Sequence, residues 1–282
     1  LQYNEKLTVY TQYKQNGVAV TPKNCGTYYI CAIESQTLIN GIADTGNYDI
    51  TYIDGVLRIL QKHIEITLFD VAPVTYGTQL SYPSGIGNFE NYLTCGLQYG
   101  EQLEIVVVFK NEKGETFSSP KNAGKYSYGL SAASVFDKDG NAIPQGELNY
   151  VFSVPEKQTE ILPKAIKVQP YYFISAQNHP EYGALSYLTY GDNFTYPSGA
   201  GNFRFAATCG LEYGDELEIF VEYAYRDYPD YFYSDIPPAD AGLYRIRAKE
   251  SATLVNGVAD TSNYDITYVE GQLKIVPKRI EA

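Results

Sequence analysis

Residues 242–280, GLYRIRAKESATLVNGVADTSNYDITYVEGQLKIVPKRI, decide the fold because the chain contains this stretch twice. The earlier copy, residues 26–64, is GTYYICAIESQTLINGIADTGNYDITYIDGVLRILQKHI and is identical at 24 of 39 positions without a gap. A second pair of segments, residues 76–107 and 190–221, is identical at 19 of 32 positions. Self-similarity at a fixed spacing is the signature of tandem structural repeats, so the sequence predicts one module that recurs along the chain.

The spacing of these copies predicts three repeats within the 282 residues. They are residues 1–62, the C-terminal part of a truncated first β-repeat, residues 63–164, the second β-repeat, and residues 165–282, the third β-repeat. The first repeat is truncated because Leu1 aligns with Leu97 and Leu211, which leaves the opening segment of that copy outside the sequence. The sequence also contains no Met, and we therefore expect a piece of a longer protein that is a monomer within its longer chain.

Each repeat contains patterns that are typical of strands and turns. Residues 217–223 alternate apolar side chains with mostly charged ones, and Leu7, Val9, Thr11 and Tyr13 repeat that period of two in the first repeat. Both patterns are typical of a half-buried strand. Two alternating runs flank Glu270-Gly271, and Asp54-Gly55 takes the same place in the first repeat, which predicts a closing β-hairpin. The sequence YPSG at residues 82–85 and 196–199 predicts type I turns. Helix signals are weak throughout, so we predict a mainly β fold.

The order of these motifs resembles that of the MBG modules of the YGX type, which occur as tandem arrays in large bacterial surface proteins. Tyr190-Gly191-Asp192, the GLYRI sequence at residues 242–246 and residues 263–275 carry the resemblance best, and it covers essentially the whole chain in register. The second repeat departs from the pattern at residues 155–158, PEKQ, where the hairpin Gly is missing. The resemblance implies small β-grasp-like or Ig-like sandwich domains, arranged end to end, that serve as stalk or adhesive modules.

Composition excludes several classes of partner. The formal net charge of −12 repels phosphate backbones and anionic lipid, so we expect no nucleic-acid partner. No stretch approaches 18 consecutive apolar residues, so we expect no membrane insertion in this fragment. The chain is nevertheless 44% hydrophobic and contains 29 Tyr residues, a composition that suits strands with half-buried faces.

The sequence offers little support for catalysis. The four Cys residues lack the C-x-x-C spacing of zinc sites, and we predict free thiols, with Cys95 and Cys209 at the same small apolar position of two repeats. A nucleophilic mechanism would pair Cys25 with His63. Because the other repeats lack both groups at the matching positions, we predict no catalytic residue, no cofactor and no enzyme activity.

Acidic turns resemble calcium sites only in part. Residues 137–141, DKDGN, alternate oxygen ligands with a Gly but lack the downstream Glu that completes a calcium loop, so we interpret them as a Gly-containing hairpin turn. Asp44 with Asp49, and Asp260 with Asp265, lie in a turn and the strand that follows it. Nothing else in the sequence supports calcium at those pairs, and we predict no metal site.

The segment with the strongest binding chemistry is residues 223–240, YAYRDYPDYFYSDIPPAD, which is six residues longer than the matching part of the first repeat. Its candidate ligand-binding residues are Tyr225, Tyr228, Tyr231, Phe232 and Tyr233. Aromatic faces stack on sugar rings, and exposed aromatic side chains also anchor protein partners, so a host glycan, mucin or surface protein would fit this segment. The alternative interpretation is a Tyr-rich hairpin that packs on its own repeat.

These features favour a non-enzymatic structural or stalk repeat region of a bacterial adhesin-like surface protein, located extracellularly at the cell surface or secreted. A glycan-, mucin- or protein-binding adhesive module is the first alternative. Accessory modules of a secreted carbohydrate-active enzyme are the second alternative, which the flanking sequence would decide.

Overall fold

The computed structural model describes residues 1–173, 188–225 and 232–281. The chain divides into two compact units. Unit 1 comprises Leu1–Asp70, Pro83–Val107 and Gly129–Lys157, and unit 2 comprises Val71–Tyr82, Val108–Tyr128 and Gln158–Ala282. The second repeat contributes residues to both units. The predicted repeat boundaries after residues 62 and 164 stay predictions.

The described chain is built from short strands and four one-turn 3-10 helices. In the first repeat the strands are β1 (Leu7–Thr8), β2 (Thr11–Gln15), β3 (Val18–Ala19), β4 (Gly26–Ala32), β5 (Leu38–Ile39) and β6 (Gly55–Ile59). From Lys62 to Leu162 they are β7 (Lys62–Glu65), β8 (Val74–Thr75), β9 (Gln102–Asn111), β10 (Thr116–Phe117), β11 (Gly124–Phe136), β12 (Tyr150–Ser153) and β13 (Lys157–Leu162). From Lys164 onwards they are β14 (Lys164–Val168), β15 (Leu188–Thr189), β16 (Leu217–Glu218), β17 (Val221–Tyr225), β18 (Gly242–Ala248), β19 (Leu254–Val255), β20 (Tyr264–Tyr268) and β21 (Gly271–Val276). The 3-10 helices are Glu34–Gln36, Gln145–Glu147, Ala206–Thr208 and Glu250–Ala252.

The third repeat shows the architecture most fully. Strands β14 and β20 pair in parallel, β15, β21, β18 and β17 form a four-stranded sheet in that order, and β16 pairs with β19. The sheets form a sandwich-like arrangement around fully buried side chains such as Leu217, Ile246 and Leu273. No described residue lies in an α-helix, so the mainly β, sandwich-like prediction is confirmed.

The second repeat uses the same plan with longer strands. Strands β7 and β12 pair in parallel, and the order of the five-stranded sheet is β10, β9, β11, β13 and β8. Strand β9 is continuous over ten residues, whereas the matching part of the third repeat is divided into β16 and β17. The alternation at residues 217–223 correctly predicted that Leu217, Ile219 and Tyr223 are buried, but Val221 is only half-buried and the break between two short strands was not predicted.

The same prediction is wrong in the first repeat. Leu7, Val9, Thr11 and Tyr13 are all exposed.

The predicted closing β-hairpin is wrong. Strand β20 pairs with β14, and β21 pairs with β18 and β15, so two consecutive strands belong to different sheets. Gly271 has no positive φ, and a Cβ there would lie 2.8 Å from the carbonyl oxygen of Tyr171. The glycine is needed because another backbone passes close to it, and not because a tight turn requires a left-handed conformation.

The first repeat contains two small sheets, β1 with β5 and β3-β2-β4-β6. Residues 47–52 have the sequence NYDITY, identical to residues 263–268, yet only the later copy forms a strand. In the later copy, β14 lies beside the segment as a parallel partner. No described residue forms a strand beside residues 48–52, and identical sequences therefore differ in structure because only one of them has a partner strand.

In both complete repeats, a buried Asn side chain forms hydrogen bonds with the backbone of the turn region. Asn202 Nδ2 donates to the carbonyl oxygens of Pro197 and Ile219 at 2.9 and 2.8 Å, and its Oδ1 accepts from the Ile219 N–H at 2.9 Å. Asn88 makes the same three bonds to Pro83 and Ile105. A carboxamide that is about 5% exposed in both repeats thus provides hydrogen-bond partners for three backbone groups.

We expect Asn202→Ala to lower the free energy of unfolding by about 1–3 kcal/mol for each buried backbone group that it leaves without a partner. Denaturant titration of the full chain, followed by far-UV circular dichroism, measures the change. Asn193→Ala, at an exposed position of the same repeat, is the control and should stay within about 0.5 kcal/mol of the wild type. Equal effects of the two substitutions would contradict a structural role for the buried carboxamide.

Candidate functional site

The described part of the aromatic segment folds back onto β17. Tyr223 and Ser234 form an antiparallel bridge, with both backbone hydrogen bonds present at 2.8 and 2.9 Å. Tyr228 and Tyr231, two of the candidate ligand-binding residues, lie outside the described residues. Tyr225, Phe232 and Tyr233 are described, and each has a different environment.

Tyr233 is held by charged neighbours. Its hydroxyl donates to Glu270 Oε1 at 2.6 Å, and the guanidinium carbon of Arg247 lies 3.5 Å from the ring centroid. Burial, together with the hydrogen bond to Glu270, raises the pKa of Tyr233 to about 12. One ring face is therefore covered by a cation–π contact within the repeat, which leaves at most the other face for a sugar.

Tyr225 packs onto a glycine of the neighbouring strand. Its ring lies 2.7 Å from the position that a Cβ at Gly242 would occupy, and it meets the Tyr244 ring edge to face with centroids 5.1 Å apart. Phe232, in contrast, is 89% exposed. Two of the three described candidates, Tyr225 and Tyr233, therefore pack within the repeat, and Phe232 is exposed to solvent.

A cavity of about 390 Å³ lies beside this segment and was not predicted from the sequence. Its lining includes Glu218, Asp235 and Lys249 together with the aromatic ring of Tyr196. Lys249 Nζ bonds to Asp235 Oδ2 at 2.8 Å, and Glu218 Oε1 accepts from the Gly199 N–H at 2.6 Å. These polar groups are already paired with protein groups, and the pairing is set by contacts between distant segments that the sequence pattern does not report.

The acidic turn at residues 137–141 is a hairpin turn, as predicted. Asp137 Oδ1 accepts from the N–H groups of Asp139 and Asn141 at 2.9 and 2.8 Å, and Gly140 has a φ of 85°. The hydrogen bonds from Asn141 lower the pKa of Asp137, so this carboxylate is used to close the turn. Within the described ranges, no group of three or more His, Cys, Asp or Glu side chains is placed to hold a metal ion.

All four Cys residues are free thiols, as predicted. The Sγ atoms of Cys95 and Cys209 lie 3.1 Å from the carbonyl oxygens of Tyr92 and Ala206, at the matching position of the two repeats. Burial raises the pKa of the Cys209 thiol. Cys25 Sγ donates to the Leu148 carbonyl at 3.4 Å.

The most distinctive geometry lies where one repeat meets the next. We call residues 23–26, 121–124 and 239–242 the trailing loops of the first, second and third repeats. Each precedes the long central strand and is fixed by the same bond, from a Tyr hydroxyl to a carbonyl oxygen four residues earlier. These bonds, donated by Tyr28, Tyr126 and Tyr244, have lengths of 2.7, 2.8 and 2.9 Å.

Within unit 1, the trailing loop of the first repeat is hydrogen-bonded to an Asn of the second. The Cys25 N–H donates to Asn149 Oδ1 at 2.7 Å, and Asn149 Nδ2 donates to Asn24 Oδ1 at 3.2 Å. Lys23 Nζ lies 4.2 Å from the centroid of the Tyr99 ring. One carboxamide is thus held by a backbone donor and a side-chain acceptor at the same time.

Within unit 2, the second and third repeats meet in the same way. The Ala123 N–H donates to Asn263 Oδ1 at 2.7 Å, and Asn263 Nδ2 donates to Asn122 Oδ1 at 3.4 Å. Lys121 Nζ lies 5.6 Å from the centroid of the Tyr213 ring. The two junctions therefore repeat residue by residue, with Ala123 in place of Cys25.

The backbone of each junction Asn starts the parallel strand pair. The carbonyl oxygen of Asn149 accepts from the Lys62 N–H at 2.7 Å, and that of Asn263 accepts from the Lys164 N–H at 2.9 Å. Lys62 and Lys164 are the first residues of β7 and β14. The same Asn therefore fixes the preceding repeat with its side chain and the connecting strand with its backbone.

A carboxylate with two Tyr donors strengthens the junction in unit 2. Asp215 Oδ2 accepts from the hydroxyls of Tyr264 at 2.6 Å and of Tyr76 at 2.9 Å. Burial raises the pKa of Asp215, but the hydrogen bonds that it accepts outweigh this effect and hold the pKa below its ordinary value. Burial and the bond to Asp215 raise the pKa of Tyr76 to about 12. Gly77 beside this cluster has a φ of 99°, which favours glycine, and a Cβ there would also lie 2.6 Å from the Glu212 side chain.

The sequence contained the signal for these junctions. Asn149-Tyr150 and Asn263-Tyr264 align between repeats, and the trailing loops align as KNCG and KNAG. Sequence periodicity shows which positions of the repeats are equivalent. It does not show that the Asn of one repeat binds the trailing loop of the preceding repeat. That step required the tertiary structure.

Comparisons with known proteins add little to this geometry. No family model matches the chain, and no curated protein matches it. Among solved structures, the chain is similar to SGBP-B of the Bacteroides ovatus mixed-linkage glucan utilization locus, in complex with a mixed-linkage heptasaccharide. The match has 10% sequence identity and a TM-score of 0.14, and it covers 97% of this chain and 60% of that one. A TM-score this low supports no conclusion about fold or ligand.

In the part of the chain that the structure describes, no helix is long and apolar enough to cross a bilayer.

We expect Asp215→Asn to make the free energy of unfolding less dependent on pH in the acidic range. A carboxyl group with a lowered pKa in the folded state contributes stability above its ordinary pKa of 3.8, and that stability is lost as the pH falls through the lower, folded value. The difference in unfolding free energy between the wild type and Asp215→Asn should therefore be constant from about pH 5 to 8 and should shrink below about pH 4.

Denaturant titrations at pH 7 and at pH 3 measure this difference. Tyr76→Phe keeps the carboxyl group and removes one of its donors, so its effect should also depend on pH but should be smaller. If the difference for Asp215→Asn were the same at both pH values, the Tyr hydroxyls would not stabilise the ionised carboxylate.

Proposed function

We propose that this chain is a non-enzymatic structural repeat region whose successive β-repeats are joined by a formed interface, so that it acts as a spacer in a bacterial adhesin-like surface protein. The single observation that carries the proposal is the recurrence of the junction. Asn149 and Asn263 make the same side-chain bonds to the preceding repeat and the same backbone bond to the connecting strand. A spacer needs neighbouring repeats that resist bending and separation, and partly buried hydrogen bonds that recur between repeats favour such resistance.

The resemblance to MBG modules of the YGX type supports the location that we propose, which is extracellular, at the bacterial cell surface or secreted. The junction chemistry is compatible with that setting. It uses carboxamides, Tyr hydroxyls and carboxylates, and it requires no disulfide bond and no bound metal.

The junction is tested by replacing its central Asn. We expect Asn263→Ala to lower the free energy of unfolding of the full chain by about 1–3 kcal/mol, because the Ala123 N–H loses its acceptor. Denaturant titration at micromolar concentration measures the change, and faster hydrogen exchange at the Ala123 amide should accompany it.

Asn47→Ala is the matched control. Asn47 occupies the same position in the first repeat, but it is exposed, so its replacement should change stability by less than about 0.5 kcal/mol. Equal, small effects of Asn47→Ala and Asn263→Ala would mean that the junction does not couple the repeats, and the proposed spacer role would fail.

A second function is favoured by one observation, the exposure of two apolar side chains of the lengthened segment, Phe232 at 89% and Ile236 at 77%. Two large apolar side chains in the segment that only the third repeat has lengthened would suit an adhesive contact with a host glycan, mucin or surface protein.

Binding is tested with the full chain on a glycan array and on immobilised mucin. Phe232→Ala should reduce any signal by at least about tenfold if the ring stacks on a ligand. Leu93→Ala, which removes a 93% exposed side chain outside the segment, should leave the signal unchanged. Absence of binding by the wild type, or equal binding by both variants, would exclude Phe232 as a contact residue for those ligands.

A further inference from the structure

The cavity beside the lengthened segment of the third repeat has side chains that the other repeats lack at the matching positions. It measures about 390 Å³ and is lined by parts of the YPSG turn, of residues 218–223 and of the lengthened segment. Small-ligand sites have volumes of about 300–1,000 Å³, so the cavity is large enough for a small ligand. Phe220, Asp235 and Lys249 are the lining residues with aromatic or charged groups that are particular to this repeat.

The first and third repeats share the backbone that positions Lys249. The Lys249 N–H donates to the Phe220 carbonyl at 2.7 Å, and the Ile33 N–H donates to the Tyr10 carbonyl at 2.8 Å. The same backbone bond therefore occurs with an ammonium side chain in one repeat and with an aliphatic side chain in the other. The fold thus forms without a Lys at this position.

Glu218, in contrast, has the same structural use in both complete repeats. Its Oε1 accepts from the N–H of the last residue of the YPSG turn at 2.6 Å, as Glu104 Oε1 does at 2.9 Å in the second repeat. Val106 stands in the second repeat where the third has Phe220, and Asp235 belongs to the lengthened segment. The comparison between repeats separates a carboxylate that fixes the turn from groups that only this cavity has.

These three groups are accessible, and two of them fix each other. Phe220 is 43% exposed, and the side chains of Lys249 and Asp235 are 40% and 64% exposed. Lys249 Nζ donates to Asp235 Oδ2 at 2.8 Å, and this hydrogen bond raises the pKa of Lys249, so the ammonium stays charged. An ammonium has several donors and a carboxylate has several acceptor positions, so the pair can still bond to a ligand.

An ammonium beside a carboxylate favours a ligand with hydroxyl groups. A hydroxyl donates to the carboxylate and accepts from the ammonium, so it suits both partners at once. A carboxylate on the ligand is repelled by Asp235 and Glu218, and an ammonium on the ligand is repelled by Lys249. The exposed ring of Phe220 offers an aromatic face to the C–H side of a sugar ring. A neutral pyranose has both kinds of surface.

We propose that this cavity binds one neutral pyranose unit of a glycan, with the sugar ring packed on Phe220 and its hydroxyl groups hydrogen-bonded to Lys249 and Asp235. The inference goes beyond the spacer role. It also assigns binding to a different site from Phe232, which is not among the described residues that line the cavity.

A second cavity shares Lys249 and extends the surface that a glycan can contact. It measures about 410 Å³ and is lined by Glu222 and by residues 247–251. Arg247 Nε donates to Glu222 Oε1 at 2.5 Å, which places another paired cation and carboxylate beside the first pair. Because the two cavities adjoin at Lys249, a chain of several sugar units makes more contacts than a single unit. Affinity should therefore rise with the length of the glycan.

Saturation-transfer difference NMR with the full chain tests the inference. The probes are glucose, galactose, mannose and N-acetylglucosamine, each alone and as a β-linked trisaccharide, with N-acetylneuraminic acid and lysine amide as charged comparisons. At least one neutral sugar should give a signal at its C–H protons, and the signal should be stronger for its trisaccharide. No signal from any neutral sugar, or signals from the charged probes alone, would overturn the inference.

Substitutions locate the site, with the affinity measured by titration of the trisaccharide that gives the strongest signal. Phe220→Ala should weaken binding by about tenfold and Lys249→Gln by about fivefold. Neither side chain is buried, so the far-UV circular dichroism spectrum should stay that of the wild type. Val106→Ala, at the matching position of the second repeat, is the control and should bind as the wild type does. Equal binding by Phe220→Ala and Val106→Ala would reject the cavity as the site.

The outcome is separable from those of the proposed functions. Weaker binding by Phe232→Ala, combined with unchanged binding by Phe220→Ala, would support the exposed segment as the contact and reject the cavity. The spacer role depends on the stability of Asn263→Ala, which sugar binding does not measure, so either proposal can fail alone.

Discussion

The structure depends on one carboxamide per junction, in Asn149 and in Asn263. Each side chain pairs with the trailing loop of the preceding repeat, and each backbone carbonyl begins a parallel strand pair. A single residue therefore both contacts the preceding repeat and begins the strand pair that follows the connection. Because the side chain and the carbonyl belong to one residue, the contact with the preceding repeat and the start of the strand pair are fixed relative to each other.

This arrangement explains why identical sequences differ in structure. The NYDITY segment forms a strand where a Lys-x-Ile strand lies beside it and remains without one where that partner is missing. Its backbone pairing thus depends on a strand about 100 residues away in the same repeat. The lengthened aromatic segment of the third repeat is different, since Tyr225 and Tyr233 are engaged within their own repeat and Phe232 is exposed.

Errors in the sequence-based predictions follow a pattern. The predicted hairpin at Glu270-Gly271 relied on local turn chemistry, but Gly271 is a glycine because the backbone at Tyr171 passes close to it. The DKDGN turn was predicted correctly because its hydrogen bonds are all local. Local rules succeeded where the partners are close in sequence and failed where a distant segment supplies the partner.

The sequence by itself determined the recurrence of the module, the mainly β character, the burial of Leu217, Ile219 and Tyr223, and the free thiols. These depend on composition, on side-chain period and on self-similarity, all of which are present in the linear chain. Only the tertiary structure decided which strands share a sheet and that Asn149 and Asn263 join neighbouring repeats. The physical reason is that hydrogen-bond partners and burial are set by distant segments, and no local pattern encodes those distances. Lys164 and Asn263 are 99 residues apart in sequence, and Ala123 and Asn263 are 140 residues apart.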